Sequence, residues 1–291
     1  MRKSFTDPFI SPPSLKFLRC SQRLASLFTG IYEGIQSAIF MGLIDDSIFQ
    51  HWDSYPYHES PDESTNLGDL NDGFEDWERE LVENCASHHG STLVIGAGGG
   101  REALALKKRG AHVESIEYNF QLAMSTDAAL KKLGVEIPLW HEPRFQIPEP
   151  DEAYDTVFVA RLYLSYIHDR NRRIEFLKRV RSVLKDDGVL IFGYFIRPEN
   201  ARTNLSRSFR FQAVLANLIR RIRGKIKQFP VEVGDHLDPH IPLYHHHFIE
   251  QEITAELHEA GFRVLESGHS WFGWTAAGPA EISQSHPGNS K

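Results

Sequence analysis

Four glycines crowd five positions, Gly96, Gly98, Gly99 and Gly100, directly after the apolar run Leu93-Val94-Ile95 and before a helical pattern that opens near Arg101. Glycine in such a place lets the chain turn tightly and lets a ligand reach the backbone with no Cβ in the way. The start of the helix adds free N–H groups and a partial positive charge. Glu117 stands 21 positions after Gly96, where the next apolar run ends. A carboxylate there accepts hydrogen bonds from both hydroxyls of a ribose. Strand, glycine loop, helix, strand and terminal acid in one unit point to a ligand built on a nucleoside.

A second group with chemical potential lies in "GDHLDPHIPLYHHHF", which carries five histidines between 236 and 247. Asp235 beside His236 suggests an imidazole oriented to take a proton from a hydroxyl or amine; the alternative is a loop whose polar groups are satisfied by backbone. Zinc would need three or four ligands in tetrahedral reach. Pro239 and Pro242 stiffen the loop and consecutive histidines at 245 to 247 diverge, so no metal is expected.

The elements that must position these residues follow from the pattern. Apolar runs bounded by turn residues predict strands at 91–96, 112–117, 136–140, 155–160, 188–195, 262–267 and 271–277. Helices are predicted at 100–109, 119–133, 168–184, 208–226 and 249–260, with a short one around Phe74 to Cys85. Strand and helix in alternation imply an α/β fold, a mostly parallel sheet with helices on both faces. Upstream, residues 14 to about 50 have helical periodicity, and 51–74 are acidic and aromatic. The expected organisation is a cap region at 1–88, a core domain at 89–278 with a lid insertion at 196–248, and a disordered tail at 279–291.

Composition narrows the partners. Of 291 residues, 41% are hydrophobic and the formal net charge is −7, which argues against nucleic acid as a general partner. The two cysteines, Cys20 and Cys85, are too few for a disulfide framework, so a cytoplasmic setting is expected. No stretch approaches the length of a membrane span. In "SFRFQAVLANLIRRIRGKIK", Phe211, Val214, Leu215, Leu218, Ile219 and Ile222 form a helical stripe that predicts a packed lid helix. The arginines and lysines beside it predict a solvated face, with attraction for an anionic substrate, or contact with a membrane surface or nucleic acid, as the alternatives. The oligomeric state is not readable.

The register of the glycines separates possible ligands. A dinucleotide fingerprint places a third glycine or alanine at position 101, which here is Arg101. The loop is instead G-x-G-x-G at Gly96, Gly98 and Gly100, and it resembles motif I of the class I methyltransferases, which bind S-adenosylmethionine (SAM) in a Rossmann-like sheet. "YDTVFVARLYLSYIHDRNRRIEFLKRVRSVLKDDGVLIFGYF" is similar to that family's fourth strand, helix and fifth strand, with its Leu-Lys-Asp-Asp-Gly turn at 184 to 188. "HHFIEQEITAELHEAGFRVLESGHSWFGWTAA" resembles the last helix and closing antiparallel hairpin.

The resemblance covers roughly residues 91 to 278. It implies a seven-stranded sheet with an antiparallel last strand, SAM as cofactor and methyl transfer; it says little of the acceptor, which is expected to be an oxygen or nitrogen of a small molecule. By position it implies that Gly96, Ala97, Gly98 and Gly100 wrap the cofactor, that Glu117 holds the ribose, and that Tyr118 lies against adenine. Glu142 is the candidate near the adenine amino group, and Ala160 and Arg161 line the methionine side. Val94 departs from the family, which often has an acid there; Arg161 is the expected compensation, pairing with the cofactor carboxylate. Two alternatives stand beside this reading: an NAD-dependent oxidoreductase, and a non-catalytic SAM-binding regulatory protein.

Overall fold

The computed structural model describes residues 31–44, 73–87, 89–143, 145–199, 204–224, 230–238 and 243–280. Helix α1 covers 31–43. It is followed by α2 (Asp76–Cys85), β1 (Ser91–Ile95), α3 (Arg101–Lys108), β2 (His112–Glu117), α4 (Phe120–Lys132), β3 (Leu139–His141) and β4 (Tyr154–Val159). A 3-10 turn at Tyr163–Tyr166 leads to α5 (Arg170–Val183), β5 (Leu184–Phe195), α6 (Asn204–Ile222), β6 (Asp235–Leu237), β7 (Tyr244–His246), α7 (Glu250–Glu259), β8 (Phe262–His269) and β9 (Phe272–Pro279). Among the described residues no helix is long and apolar enough to cross a membrane.

Seven strands form one sheet in the order β3-β2-β1-β4-β5-β9-β8. The pairs from β3 across to β5 are parallel, and β9 runs antiparallel to both β5 and β8. This is the expected Rossmann-like arrangement, with each strand of the sheet within a few residues of its predicted place, while the β6–β7 hairpin stands where a loop was expected. The Leu184–Gly188 turn is absorbed into β5 as a bulge: Tyr154 pairs with Leu184, yet Thr156 already pairs with Val189.

Because side chains alternate across a strand, neighbours in sequence feed opposite faces of the sheet. Leu93, Ile95, Val157 and Val159 pack toward Phe176 and Leu177 of α5 and Ile253 and Leu257 of α7. Val94, Phe158 and Ile191 face the other way, toward Leu104 of α3 and Trp77 and Leu81 of α2. So α2, grouped by sequence with the 1–88 cap, packs into the sheet's own core. Trp77 meets Phe272 edge-on at 5.6 Å and lies 6.2 Å from Trp274, both on β9.

A third, smaller core joins Ala38 and Met41 of α1, Ala213 and Ala216 of α6, and Leu237 and Tyr244 of the β6–β7 hairpin. Here the expectation for the lid helix holds only for Leu215 and Ile219, which are half-buried toward α1 and this core. Phe211, Val214, Leu218 and Ile222 are exposed, while Phe209, Gln212, Ala213, Ala216 and Arg220 are buried. The small alanines let α1 approach closely, and the buried Arg220 caps it, donating to the carbonyls of Met41 at 2.8 Å and Ile44 at 3.0 Å. Those carbonyls end a helix and have no partner within it. Residues 51–72 of the acidic, aromatic stretch, Cys20 and the tail from 281 lie outside the described residues.

Candidate active site

The parallel strands end together, and the loops that follow β1, β2, β3, β4 and β5 meet at that edge, where open α/β sheets bind ligands. After β1 the chain turns at once. The N–H groups of Gly96 and Ala97 both donate to the carbonyl of Ile116 on β2, at 2.9 and 3.0 Å. Gly96 and Gly98 sit at φ 76° and 52°, a region that side chains disfavour. Their surroundings differ. A Cβ on Gly96 would strike the Tyr163 ring at 2.7 Å, whereas one on Gly98 would meet nothing closer than 3.8 Å. The backbone at Gly98 therefore borders open space of the kind a cofactor would fill. Gly100, also left-handed at φ 85°, caps α3.

Glu117 ends β2 beneath this loop. Its carboxylate accepts the Gly98 N–H and the Asn119 N–H, each at 2.9 Å. Burial pushes the carboxyl above its usual range, opposed by those N–H groups. Thr126 of α4 holds the loop from the other side, donating to the carbonyl of Gly98 at 2.6 Å. Tyr118 is half-buried, with its ring edge-on to Tyr163 at 6.5 Å and its carbonyl bonded to Nε2 of His141 at 2.9 Å. Glu142 follows β3 directly and is half-buried, at the same edge as Glu117.

Ala160 follows β4 and donates its N–H to Ile95 at 2.9 Å, which sets it beside the glycine loop. Arg161 is committed differently from the expectation. Its guanidinium pairs with Glu75 and lies 5.6 Å from the ring centres of both Trp271 and Phe272. That acid is delivered by the N-terminus of α2, so a cofactor carboxylate would meet an arginine already paired. Glu75 also accepts the indole N–H of Trp77 at 2.9 Å. Arg101 fastens the same segment to the loop: it grips Glu78 with two bonds, 2.6 and 2.7 Å, and donates to the carbonyl of Gly73 at 2.8 Å. Val94, in place of the family's acid, is fully buried in the core.

Beyond β5 the site is ringed by aromatic groups. Phe195, the last residue of β5, stacks on His247 at 5.0 Å and lies 4.8 Å from His245, with Tyr166 6.5 Å away. Phe209 of α6 closes over His247 at 5.0 Å. Sequence reasoning singled out none of Tyr163, Phe195 or Phe209, and weighed His245 and His247 only as metal ligands; the density of histidines was the one signal of this wall.

Asp235 and His236 do not form the expected pair. Adjacent residues of a strand point to opposite faces, so Asp235 turns inward while His236 turns toward α6. The buried Asp235 accepts from Nδ1 of His246 at 2.7 Å and from the Tyr244 hydroxyl at 2.6 Å. Burial pushes its carboxyl up, but the His246 bond and charge outweigh this and hold it below the usual range. Glu232, Asp235 and His246 lie near enough together to suggest a cation site. Yet Nη2 of Arg173 bonds Glu232 at 2.7 Å and supplies the positive charge there. These groups clamp the hairpin to α5 and α7.

The comparisons with known proteins bear on this geometry. The family model described as a methyltransferase domain matches residues 93–188, from β1 through the β5 bulge. The match spans about a third of the chain and marks that stretch, which holds the glycine loop and Glu117, as a methyltransferase domain. A methyltransferase domain is catalytic, so the chain is an enzyme. The methyltransferase fold is similar to that of a SAM-dependent methyltransferase from Methanosarcina mazei (20% identity over 72% of this chain and 100% of that one, TM-score 0.54). It is also similar to a SAM-dependent methyltransferase from Clostridium acetobutylicum (12% identity, 78% of this chain and 98% of that one, TM-score 0.52). A third is 1,6-didemethyltoxoflavin-N1-methyltransferase from Burkholderia thailandensis, which holds 1,6-didemethyltoxoflavin and S-adenosylhomocysteine (14% identity, 81% of this chain and 88% of that one, TM-score 0.53). At these identities the likeness is one of fold. No curated protein matches the methyltransferase in sequence. An oxidoreductase reading is set aside with the Arg101 register and the methyltransferase domain match.

Proposed function

We propose that the enzyme transfers the methyl group of SAM to an oxygen or nitrogen of a small molecule. The observation that carries the reading is the cradle at Gly98, open on the ligand side and backed by the buried Glu117 carboxylate. In this reading Gly96, Ala97, Gly98 and Gly100 border the cofactor, Glu117 takes the ribose hydroxyls, Tyr118 flanks the adenine and Glu142 stands near its amino group. Ala160 lies by the methionine side. Arg161 and Glu75 offer that end one charge of each sign, which suits an amino acid carrying both a carboxylate and an ammonium group.

When bound, SAM supplies an already activated methyl group on a sulfonium. The chain's own task is then alignment of the nucleophile, which in well-oriented systems supplies up to roughly 7–11 kcal/mol of a barrier. A site closed by α6 and the β6–β7 hairpin suits a small acceptor. The proposed organisation keeps a cap before α2, a core to residue 278 and the 196–248 insertion as the acceptor-side cover. Incubation of the full chain with methyl-labelled SAM and a cell metabolite extract, read by mass spectrometry, tests the reading. Labelled small-molecule product is expected; label confined to protein or nucleic acid would overturn it.

A further inference from the structure

Gln212 is buried on the inner face of α6. Its Nε2 donates to the Ser208 hydroxyl at 3.0 Å, which turns Oε1 to Nδ1 of His236 at 3.1 Å. An amide oxygen only accepts, so Nδ1 carries the hydrogen and Nε2 of His236 keeps its lone pair. Among the described residues Nε2 has no hydrogen-bond partner, and it is not one of the sealed polar atoms.

Around it stand His245, 5.0 Å away, and Phe209, 6.4 Å away, with His247, Phe195 and Tyr166 beyond. The charged or titratable groups facing His236 are Glu33 of α1, Asp238 after β6, and His245 and His247 on the β7 side. Burial holds His236 below the usual imidazole range against the two acids. Burial and the neighbouring histidines hold His245 well below it and bring His247 to about 3. The acids facing His236 give an anionic ligand no partner in this box, and among rings that are mostly apolar or neutral a flat uncharged ring loses least on entering. The arginines of α6 that suggested an anionic substrate, Arg207, Arg210 and Arg221, are exposed on its outer side.

We propose that this box is the acceptor subsite: it takes an uncharged aromatic hydroxyl or ring N–H compound, and Nε2 of His236, in the tautomer imposed by Gln212, receives the proton that methylation displaces. The proposal rests on the methyl-transfer reading. The lone pair of the substrate oxygen or nitrogen bonds the methyl carbon as the carbon–sulfur bond breaks. The electron pair of that bond stays on sulfur, and the proton passes to Nε2 and then to water. Gln212 touches no reacting atom; it is a positioning residue.

Long-range proton–nitrogen spectra of the full chain read the tautomer without any substrate. His236 is expected as the Nδ1–H form at pH 7.5. Gln212→Leu exchanges its protonated and unprotonated nitrogens, Gln212→Glu keeps the Nδ1–H form and raises the pH at which His236 titrates, and Asp235→Asn leaves the tautomer unchanged. Catechol and benzimidazole, as uncharged probes, should shift the His236 Nε2 resonance, with benzoate binding about tenfold more weakly or not at all. An Nε2–H tautomer in the wild type, or benzoate binding as tightly as the uncharged probes, overturns the proposal. Calorimetry with SAM separates the two readings: no SAM binding by the wild type sinks methyl transfer, whatever the probes and the tautomer show.

Discussion

The backbone N–H of Gly98 donates to the carboxylate of Glu117 at 2.9 Å, so the acid beneath the glycine loop is locked before any ligand arrives. Its second oxygen is held as firmly by Asn119. A ribose would meet an acceptor already in place, with little side-chain freedom left to lose. Glu117→Ala should lower SAM affinity by roughly 2–3 kcal/mol, from charge-assisted bonds lost. It also strands the Gly98 and Asn119 N–H groups, at a stability cost of about 1–3 kcal/mol. Calorimetric titration and thermal melting measure the two effects; unchanged affinity would remove Glu117 from the ribose site.

Gly98→Ala separates fold from binding. The added methyl finds room in the chain itself, its nearest neighbour being 3.8 Å away. The positive φ alone should cost about 1–2 kcal/mol of stability. Cofactor affinity should fall much further, since that room is where the ligand goes, and Gly98→Val should abolish binding. A variant that melts early but titrates normally would show that the loop does not touch the cofactor.

Arg101→Ala should be among the most destabilising changes near the site. Glu78 is fully buried, and burial already pushes its carboxyl above the usual range, with the Arg101 bonds opposing. Removing the guanidinium leaves that acid unpaired, at a cost of about 3–5 kcal/mol. The double variant Arg101→Met with Glu78→Leu should recover much of the loss. Denaturant melts of the three variants decide; a double variant no better than the single one would mean that the pair acts through something other than charge.

Acid should loosen the cover of the acceptor side. His236, His245 and His247 have folded-state pKa values below the ordinary 6.5. Their contribution is therefore present above about 6.5 and is lost as pH falls, for His247 across the window down to about 3. His246 acts oppositely: burial and Arg173 push it down, but Asp235 and Glu252 outweigh them, so its stabilisation is present below 6.5 and fades as pH rises. Three groups oppose one, so α6 and the hairpin should lose hydrogen-exchange protection between pH 7.5 and pH 5. His245→Phe with His247→Phe should flatten that response; an equal response in this variant would assign it to other groups.

Much of the fold was legible because buried parallel strands are continuous apolar runs, and the glycine register and the closing hairpin argued against a dinucleotide fold. The site was legible where it is local: Gly96 to Glu117 is one unit of chain. What failed to show involves contacts distant in sequence or hidden by a period. Arg161 was read without Glu75, which lies 86 positions earlier. Asp235 and His236 looked like partners because they are adjacent, although a strand sends neighbours to opposite faces. The face of α6 was read only in part: an apolar stripe argues for burial, yet close approach to α1 selected Ala213 and Ala216 and left Phe211, Val214, Leu218 and Ile222 exposed.

The position of β9 between β5 and β8 also dictates an order of assembly. Trp77 of α2 is made early, yet its ring partners Phe272 and Trp274 follow almost 200 positions later. Until they arrive, β5 has an open edge, β8 has no neighbour, and α2 has an uncovered indole. Such long-range closure is slow and leaves unfinished chains sticky. Pulse-labelled refolding should therefore show the amides of α2 gaining protection together with β9, after β1 and β2, and a chain stopped before residue 272 should aggregate.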